Sequence, residues 1–221
     1  GFGRSDKLLN ESDYEFNRHI EWNTAFLRQL KITDAIGFMF DWGGFFGLRI
    51  AAENPDIFHK LVLLNTQLPT GEPSAGHAWF IKWREVQLAL PVFPQGEMVQ
   101  EGTVKELSAD VVAAYDAPYP DQTYRTGPRR FPMILPISPD SPARAANLAA
   151  WEILAHWNKP VLTLFSQQFE GSAMGPTALL QHIPGCQNQP HALIPAANFY
   201  IVEDQPLSLC GHLLKFAAVA T

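Results

Sequence analysis

The chain has 221 residues, 47% of them hydrophobic, and a mean hydropathy of -0.07, which is typical of one well-cored globular domain with an insertion. Its formal net charge of -6 and isoelectric point near 5.6 argue against a nucleic-acid partner. No apolar run approaches membrane-spanning length and no signal peptide opens the sequence, so we expect a cytoplasmic protein without a membrane partner.

The first third of the sequence alternates between helical and extended patterns. Residues Ser12 to Glu15 predict a capping box at the start of a helix. His19 lies beside the apolar stripe of this helix and is interpreted as an exposed or partner-satisfied residue without a catalytic role. The next segments predict a buried strand, a helix ended by a proline, and a second strand typical of a parallel sheet: Asp34–Phe40, Phe45–Glu53 and Lys60–Leu64.

The middle of the chain is rich in proline. Eleven of the 18 prolines lie between Pro69 and Pro142, a density that predicts only short helices. Its aromatic clusters argue against a disordered linker. We therefore predict that residues 71–150 form a cap inserted between two core segments, 1–70 and 151–221, with Trp79 and Trp83 packing the cap against the core.

The last third returns to the alternation of helix and strand that is typical of an α/β fold. Two strands are predicted, Val161–Phe165 and the short His191–Ile194. Three helices are predicted around them: Asn147–Trp157, Ala173–Ile183 and Leu207–Val219. The two cysteines, Cys186 and Cys210, fit neither a disulfide framework nor a metal-ligand spacing, so no metal site is expected.

The segment Asp41-Trp42-Gly43-Gly44 is the strongest candidate for chemistry. It joins an apolar strand to a helix, a context in which a sharp turn presents the side chain of Asp41 above the sheet. Gly43 is expected to let the helix pack closely behind the turn. A carboxylate that is ionised at neutral pH can attack carbon and form an ester. The backbone N–H of Trp42 would face the oxyanion, and its indole N–H is suited to a departing anion.

This tetrapeptide resembles the Asp-Trp-Gly-Gly motif of haloalkane dehalogenases. The resemblance continues through most of the chain, in the segments 1–7 (GFGRSDK), 64–71 (LNTQLPTG), 114–121 (AYDAPYPD), 183–186 (IPGC) and 189–191 (QPH). It implies an α/β-hydrolase fold with a mostly parallel sheet and a helical cap. It also implies hydrolysis of carbon–halogen bonds without a cofactor, with a small halogenated organic substrate and a halide ion as partners.

In the family that the chain resembles, several strands precede the segment Gly1–Lys7. We therefore expect an N-terminal truncation in which the early strands are missing. The strand ending at Phe40 would then lie at an edge of the sheet, and an unpaired apolar edge favours self-association.

The same resemblance indicates that the residues needed to hydrolyse the ester are replaced. It places Asn198 at the usual position of the histidine base and Phe169, or with a slip Gln168, at the usual position of the acid; Glu170 lies next door. The alternative acid position, after the strand ending at Leu64, offers only Asn65 and Thr66. We therefore predict single-turnover chemistry at most. His212 is interpreted as a residue of the last helix, not as a substitute base.

Two further positions depart from the family pattern. Thr103 stands where many relatives have a halide-binding tryptophan of the cap, and Phe40 replaces the polar residue that usually precedes the nucleophile. Two alternatives remain open. The first is an epoxide hydrolase-like enzyme that uses tyrosines of the cap as acids, namely Tyr115, Tyr119 and Tyr124. The second is a catalytically inactive remnant of the α/β-hydrolase fold, which the missing base and acid would explain.

Overall fold

The computed structural model of the chain describes residues 1–72, 75–169 and 175–219, and it leaves the side chains of residues 75–77 undescribed. Within these residues four strands form one sheet in the order β1-β2-β3-β4, and every pair is parallel. The strands are β1 (Ala35–Phe40), β2 (Phe58–Leu64), β3 (Val161–Ser166) and β4 (Ala192–Ile194). The predicted strands and their parallel arrangement are therefore confirmed.

The described residues also contain ten α-helices. In chain order they are α1 (Phe16–Gln29), α2 (Trp42–Glu53), α3 (Ala75–Ala89), α4 (Gln95–Glu101), α5 (Ala109–Asp116), α6 (Thr126–Ile134), α7 (Arg144–Leu154), α8 (Thr177–His182), α9 (Ile201–Asp204) and α10 (Pro206–Ala218). None of the helices in the described ranges has the length and apolar character that a bilayer span requires.

The sheet is covered by helices on both faces, which explains its continuous apolar strands. Leu61 and Leu63 of β2 point into a cluster with residues of α1, α2, α7 and α8, whereas Val62 and Leu64 point into a second cluster with α9 and α10. Successive side chains of a strand point to opposite faces, so a strand covered on both faces must be apolar throughout. This two-sided packing fixes the carboxyl end of the sheet, where the chain turns into α2.

Strand β1 lies at one edge of the sheet in the described part of the chain, as the sequence predicted. It pairs only with β2 there, from Ala35 opposite Phe58 to Phe40 opposite Leu64. Phe38, in the middle of the strand, is 42% exposed. An exposed apolar edge is the feature on which the prediction of self-association rests.

The start of α1 differs from the sequence prediction. Residues Glu11–Asp13 form a short 3₁₀ turn, and α1 begins at Phe16 after an extended Glu15 whose side chain makes no capping hydrogen bond. The capping box over Ser12–Glu15 is therefore wrong. The aromatic ring of Phe16 packs against Phe46 of α2 at 5.1 Å between ring centroids, so tertiary packing sets this helix end.

His19 is buried, so one of its two predicted environments is excluded. Its Nδ1–H donates to the carbonyl oxygen of Glu15 at 2.7 Å, and its ring stacks on Phe46 at 5.3 Å. Its Nε2 has no hydrogen-bond partner. Burial accordingly lowers the pKa of the imidazole. His19 is therefore a core histidine in which, within the described part of the chain, only one of the two ring nitrogens makes a hydrogen bond.

The helices of the middle segment are longer than the proline density predicted. Helix α3 runs for 15 residues, from Ala75 to Ala89. Most prolines of this segment lie between helices, and Pro132 lies inside α6. No proline lies within α3, so this helix is not interrupted. The predicted helix Ala173–Ile183 is observed only as α8, and Ala173 itself lies outside the described residues.

Candidate active site

Asp41 occupies the sharp turn between β1 and α2, as predicted. Its backbone has φ 48° and ψ -117°, a left-handed φ that is unusual for a residue other than glycine. Four hydrogen bonds hold it there. The Asp41 N–H donates to the carbonyl of Leu64, and the Asp41 carbonyl accepts from Gly44 N, from Phe45 N and, at 2.7 Å, from the hydroxyl of Thr66. The surrounding structure therefore fixes the turn that presents the carboxyl group.

The close approach of helix α2 depends on Gly44, not on Gly43. A Cβ on Gly44 would lie 2.1 Å from the hydroxyl oxygen of Thr66, whereas a Cβ on Gly43 would meet nothing within 4 Å. The prediction that Gly43 permits the close packing is therefore wrong. The two glycines are adjacent and only the direction of each Cα–H bond relative to β2 separates them, which the sequence does not show.

A cavity of about 500 Å³ lies above Asp41. Half of its lining is aromatic: Phe2, Trp42, Phe45, Trp79, Phe80, Trp83, Phe93, Phe131, Phe169, Phe199 and Tyr200. Residues of helices α3, α4 and α6, all of which lie between positions 71 and 150, line this cavity. An open depression of about 520 Å³ near Lys7 and Tyr124 lies on exposed loops and contains no residue of the turn.

The tryptophans of α3 line the cavity as well as linking the cap to the core. Trp79 and Trp83 stack on each other at 6.4 Å, and the ring of Trp79 meets Phe169 edge-on at 5.3 Å. Trp79 thus contacts a residue of the segment 151–221. Both rings also form part of the wall that faces Asp41.

The carboxyl group of Asp41 is less acidic than the sequence suggested. Burial raises its pKa to about 7, and a hydrogen bond from the backbone N–H of Trp42 lowers the pKa only in part. The expectation that Asp41 is fully ionised at neutral pH is therefore wrong. The burial of this residue depends on contacts between distant segments, so the sequence alone offered no reason to expect the raised pKa.

Trp42 lies at the wall of the cavity among aromatic neighbours. Its ring packs against Phe131 at 4.7 Å and against Phe45 at 5.3 Å. In the described part of the protein its indole N–H makes no hydrogen bond to another residue. Its backbone N–H donates to the Asp41 carboxyl group. Trp42 therefore contributes one donor to the nucleophile candidate through its backbone and a ring to the cavity wall through its side chain.

The positions predicted for the acid and the base are held by side chains that neither gain nor lose a proton near neutral pH. Phe169 is 8% exposed, and its ring packs against Phe199 at 5.0 Å. The side-chain oxygen of Asn198 accepts a hydrogen bond from the backbone N–H of Phe199 at 2.9 Å. Asn198, Gln168 and Phe199 all line the cavity. Glu170 lies outside the described residues.

The neighbouring polar residues have structural roles. Asn65 donates to the hydroxyl of Ser166 at 2.7 Å and accepts from its backbone N–H at 2.9 Å, which ties the ends of β2 and β3 together. Thr103 is buried and hydrogen-bonded to the carbonyl oxygens of Gln100 and Lys105. His212 lies on α10 and does not line the cavity, in agreement with its interpretation as a helix residue.

Tyr200 is a candidate that the sequence analysis missed. It lines the cavity, and burial, together with the carboxyl group of Asp41, raises the pKa of its hydroxyl group. Its backbone N–H donates to the carbonyl of Gly102 at 2.9 Å, and a Cβ on Gly102 would lie 2.5 Å from its ring. An apolar ring between Phe199 and Ile201 looks like ordinary core filling in the sequence. Its place in the cavity wall is known only from the position of the segment around Gly102 that packs on it.

The three tyrosines of the cap are not arranged for acid catalysis at Asp41. None of them is among the described residues that line the cavity. The hydroxyl of Tyr115 donates to Glu203, and burial raises the pKa of this tyrosine to about 12. Tyr119 is buried beside Arg125, whereas Tyr124 is exposed. These positions give no support to the alternative based on epoxide ring opening.

The chain is similar in sequence and in structure to known proteins. Residues 1–102 match the family model of the alpha/beta hydrolase fold. The chain is 41% identical to a haloalkane dehalogenase of Psychrobacter cryohalolentis and 43% identical to one of Mycobacterium marinum. Each alignment covers 98% of this chain, and 71% and 72% of the respective relatives.

Among solved structures, the tetrameric haloalkane dehalogenase DpaA from Paraglaciecola agarilytica is similar with a TM-score of 0.87 and 27% identity. That similarity covers 99% of this chain and 72% of the DpaA chain. An elbow aspartate beneath an aromatic cavity, a parallel sheet covered on both faces and relatives above 40% identity lead to one conclusion. The chain belongs to the haloalkane dehalogenase family.

Proposed function

We propose that this chain is a haloalkane dehalogenase-like hydrolase in which Asp41 carries out the displacement of halide. One oxygen of the ionised carboxylate forms a bond to the carbon that bears the halogen. The carbon–halogen bond breaks, and the halide leaves with the electron pair. The product is an alkyl ester of Asp41, and the step needs neither a cofactor nor a base. The cavity of about 500 Å³ is large enough for a small halogenated organic molecule.

Two donors in the cavity wall support the departure of the halide. The indole N–H of Trp42 and the hydroxyl of Tyr200 both belong to the lining of the cavity that contains Asp41. A donor that interacts more strongly with the forming anion than with the carbon-bound halogen lowers the barrier to displacement. Trp42 is therefore assigned to halide and oxyanion binding, with Tyr200 as its partner.

We propose further that the ester is not hydrolysed efficiently. Water attack on an ester requires a general base within hydrogen-bond reach. The observation that carries this proposal is the composition of the cavity wall: its described residues include no histidine, and the Phe169–Phe199 ring pair lies beside Asn198. The expected outcome is one alkylation of Asp41 followed by a long-lived adduct.

The cap in this proposal comprises residues 71–143. The sequence placed its end near Ala150, but α7, which begins at Arg144, packs on the core helix α2. The side chain of Arg49 donates to Asn147 at 2.9 Å, and Asn147 donates to the carbonyl of Pro69 at 2.7 Å. We therefore assign α3 to α6 to the cap that excludes water from Asp41, and α7 to the core.

The proposal is tested by exposing the protein to 1-bromobutane at pH 8 and recording its intact mass over time. We expect one butyl group per chain, mapped by peptide sequencing to Asp41. Asp41→Asn should prevent the modification because the amide is not a competent nucleophile. Glu101→Gln is the matched control, since it removes the other carboxyl group of the cavity lining and should leave the butylation intact.

Two results would contradict the proposal. Release of bromide over many turnovers would show that a base acts on the ester. Butylation that persists in Asp41→Asn would show that another group is the nucleophile.

A further inference from the structure

The charged groups around the cavity are of one sign. Its described lining contains two carboxyl groups, those of Asp41 and Glu101, and no lysine, arginine or histidine. Neither carboxyl group takes part in an ion pair within the described part of the chain. A carboxylate in an apolar environment is costly unless a cation neutralises it or a proton is taken up. Glu101 is exposed to solvent, whereas the buried Asp41 takes up a proton below about pH 7, so above that pH Asp41 leaves the cavity with an uncompensated negative charge.

No side chain in the described lining of the cavity supplies a compensating positive charge. The Phe169 and Phe199 rings pack at 5.0 Å in the wall of the cavity, and neither can carry a positive charge. The polar contact of the Asp41 side chain is the backbone N–H of Trp42, which is a neutral donor. Any cation that neutralises Asp41 inside the cavity must then come with a ligand.

The aromatic wall provides the second feature that a cation requires. Trp79 and Trp83 stack nearly parallel, with 14° between their planes, and Phe169, Phe199 and Tyr200 line the same cavity as Asp41. The face of an aromatic ring carries negative potential and attracts organic cations, most strongly when the ring is tryptophan and the site is desolvated. An aromatic box that closes on a carboxylate is suited to a quaternary ammonium group.

We propose that this cavity binds an organic cation of the quaternary ammonium class, with its positive nitrogen between Asp41 and the aromatic wall. A quaternary group is favoured over a primary amine because it has no N–H donors, each of which would need an acceptor inside the cavity. It is also weakly hydrated, so its transfer into the cavity costs less. This binding is non-covalent and does not depend on alkylation of Asp41.

The test compares choline with 3,3-dimethylbutan-1-ol, a neutral molecule of the same shape in which carbon replaces nitrogen. Titration calorimetry on the full chain at pH 8 should give at least about tenfold tighter binding of choline, a difference of about 1.4 kcal/mol. Asp41→Asn should abolish this preference. Asp56→Asn, which removes an exposed carboxylate that pairs with Arg28 outside the cavity, should preserve it.

A second variant tests the aromatic wall independently of the carboxylate. Trp79→Leu should weaken binding of choline more than binding of the neutral alcohol, because a leucine of similar polarity keeps the apolar contact but has no ring face. Circular dichroism confirms that each variant is folded.

The dependence on pH gives a further readout. Choline binding should strengthen between pH 6 and pH 8 as Asp41 ionises, given its pKa of about 7. The other titratable groups near Asp41 are Glu101 at the cavity and Tyr200, with Tyr115 behind it. Burial raises the pKa of both tyrosines, so they stay neutral in this range.

The proposal is overturned if the alcohol binds as tightly as choline, if Asp41→Asn retains the preference, or if choline does not bind at millimolar concentration. These results are separate from those of the alkylation experiment. Choline binding without butylation would remove the proposed function and leave the cation site. Butylation without choline binding would remove the cation site and leave the proposed function.

Discussion

Replacement of Asp41 by asparagine should stabilise the protein, and more so at high pH than at low pH. The native state holds the Asp41 carboxyl group in an apolar cavity, which raises its pKa from 3.8 to about 7. Between these two values the native state binds more protons than the unfolded state, so the free energy of unfolding falls as pH rises. The stabilising effect of the raised pKa is fully present below pH 3.8 and is lost above about pH 7.

The size of the effect follows from the same shift. Each pH unit between the unfolded and the folded pKa contributes about 1.4 kcal/mol, so the rise from 3.8 to about 7 corresponds to about 4 kcal/mol. Water that enters the cavity solvates the carboxylate and reduces this value. We therefore expect Asp41→Asn to raise the free energy of unfolding by about 2–4 kcal/mol at pH 8 and by little at pH 4. The amide oxygen can still accept from the Trp42 N–H.

The measurement is urea unfolding of both proteins at pH 4 and pH 8. His19, whose pKa burial lowers, also changes stability with pH, but it is present in both proteins and cancels in their difference. Asp56→Asn is the control of opposite sign, because the guanidinium of Arg28 lowers the pKa of Asp56. A gain for Asp41→Asn that is equal at the two pH values, or a loss at pH 8, would refute burial as the cause of the raised pKa.

Three more outcomes are expected. Gly44→Ala should cost about 3 kcal/mol in the free energy of unfolding because its methyl group would overlap Thr66, whereas Gly43→Ala should be tolerated; equal costs in denaturant unfolding would contradict this. Tyr200→Phe should slow alkylation about tenfold in single-turnover mass spectrometry, more for a chloroalkane than for an iodoalkane; an equal effect on both would exclude hydrogen bonding to the halide. Phe199→His combined with Phe169→Asp should shorten the lifetime of the butyl ester, measured by intact mass.

The elbow and the sheet were predictable because their signals are local. The apolar run of β2 is continuous since both faces of the strand are covered, and the position of Asp41 follows from a strand, a pair of glycines and a helix in immediate succession. Such features depend on residues close together in sequence, so a single chain is enough to identify them. The edge position of β1, in contrast, was expected from the resemblance to the family and not from these local signals.

The cavity wall was not predictable in the same way because it depends on contacts between distant segments. Tyr200 enters the wall only because Gly102 of the cap packs on its ring, nearly one hundred residues earlier in the chain. The raised pKa of Asp41 likewise results from the burial that the cap produces. The choice between Gly43 and Gly44 required the position of Thr66 on a neighbouring loop. In each case the sequence shows the residue type but not which residues surround it in the folded chain.

The position of the missing base shows how the two kinds of information combine. Counting along the sequence placed it at Asn198, but the side-chain oxygen of Asn198 accepts from the backbone and its own N–H donates to Asp204 at 2.9 Å. The side chain that reaches the acid position is that of Phe199, whose ring contacts Phe169. An imidazole at position 199 would therefore lie beside a carboxylate at position 169, as a general base and its orienting acid must.

The decisive comparison is between two double variants. Phe199→His with Phe169→Asp should accelerate loss of the butyl ester by about 100-fold or more, the contribution typical of a positioned general base. Asn198→His with Phe169→Asp should accelerate it only weakly, because that side chain is directed to the local backbone. Both pairs introduce the same two residue types at adjacent positions, so a difference in net charge does not explain a difference in rate, and circular dichroism compares their folding. Faster ester loss in the variant with histidine at position 198 would show that the base belongs at position 198, as the family resemblance implies, and not at position 199, as the contact between Phe199 and Phe169 implies.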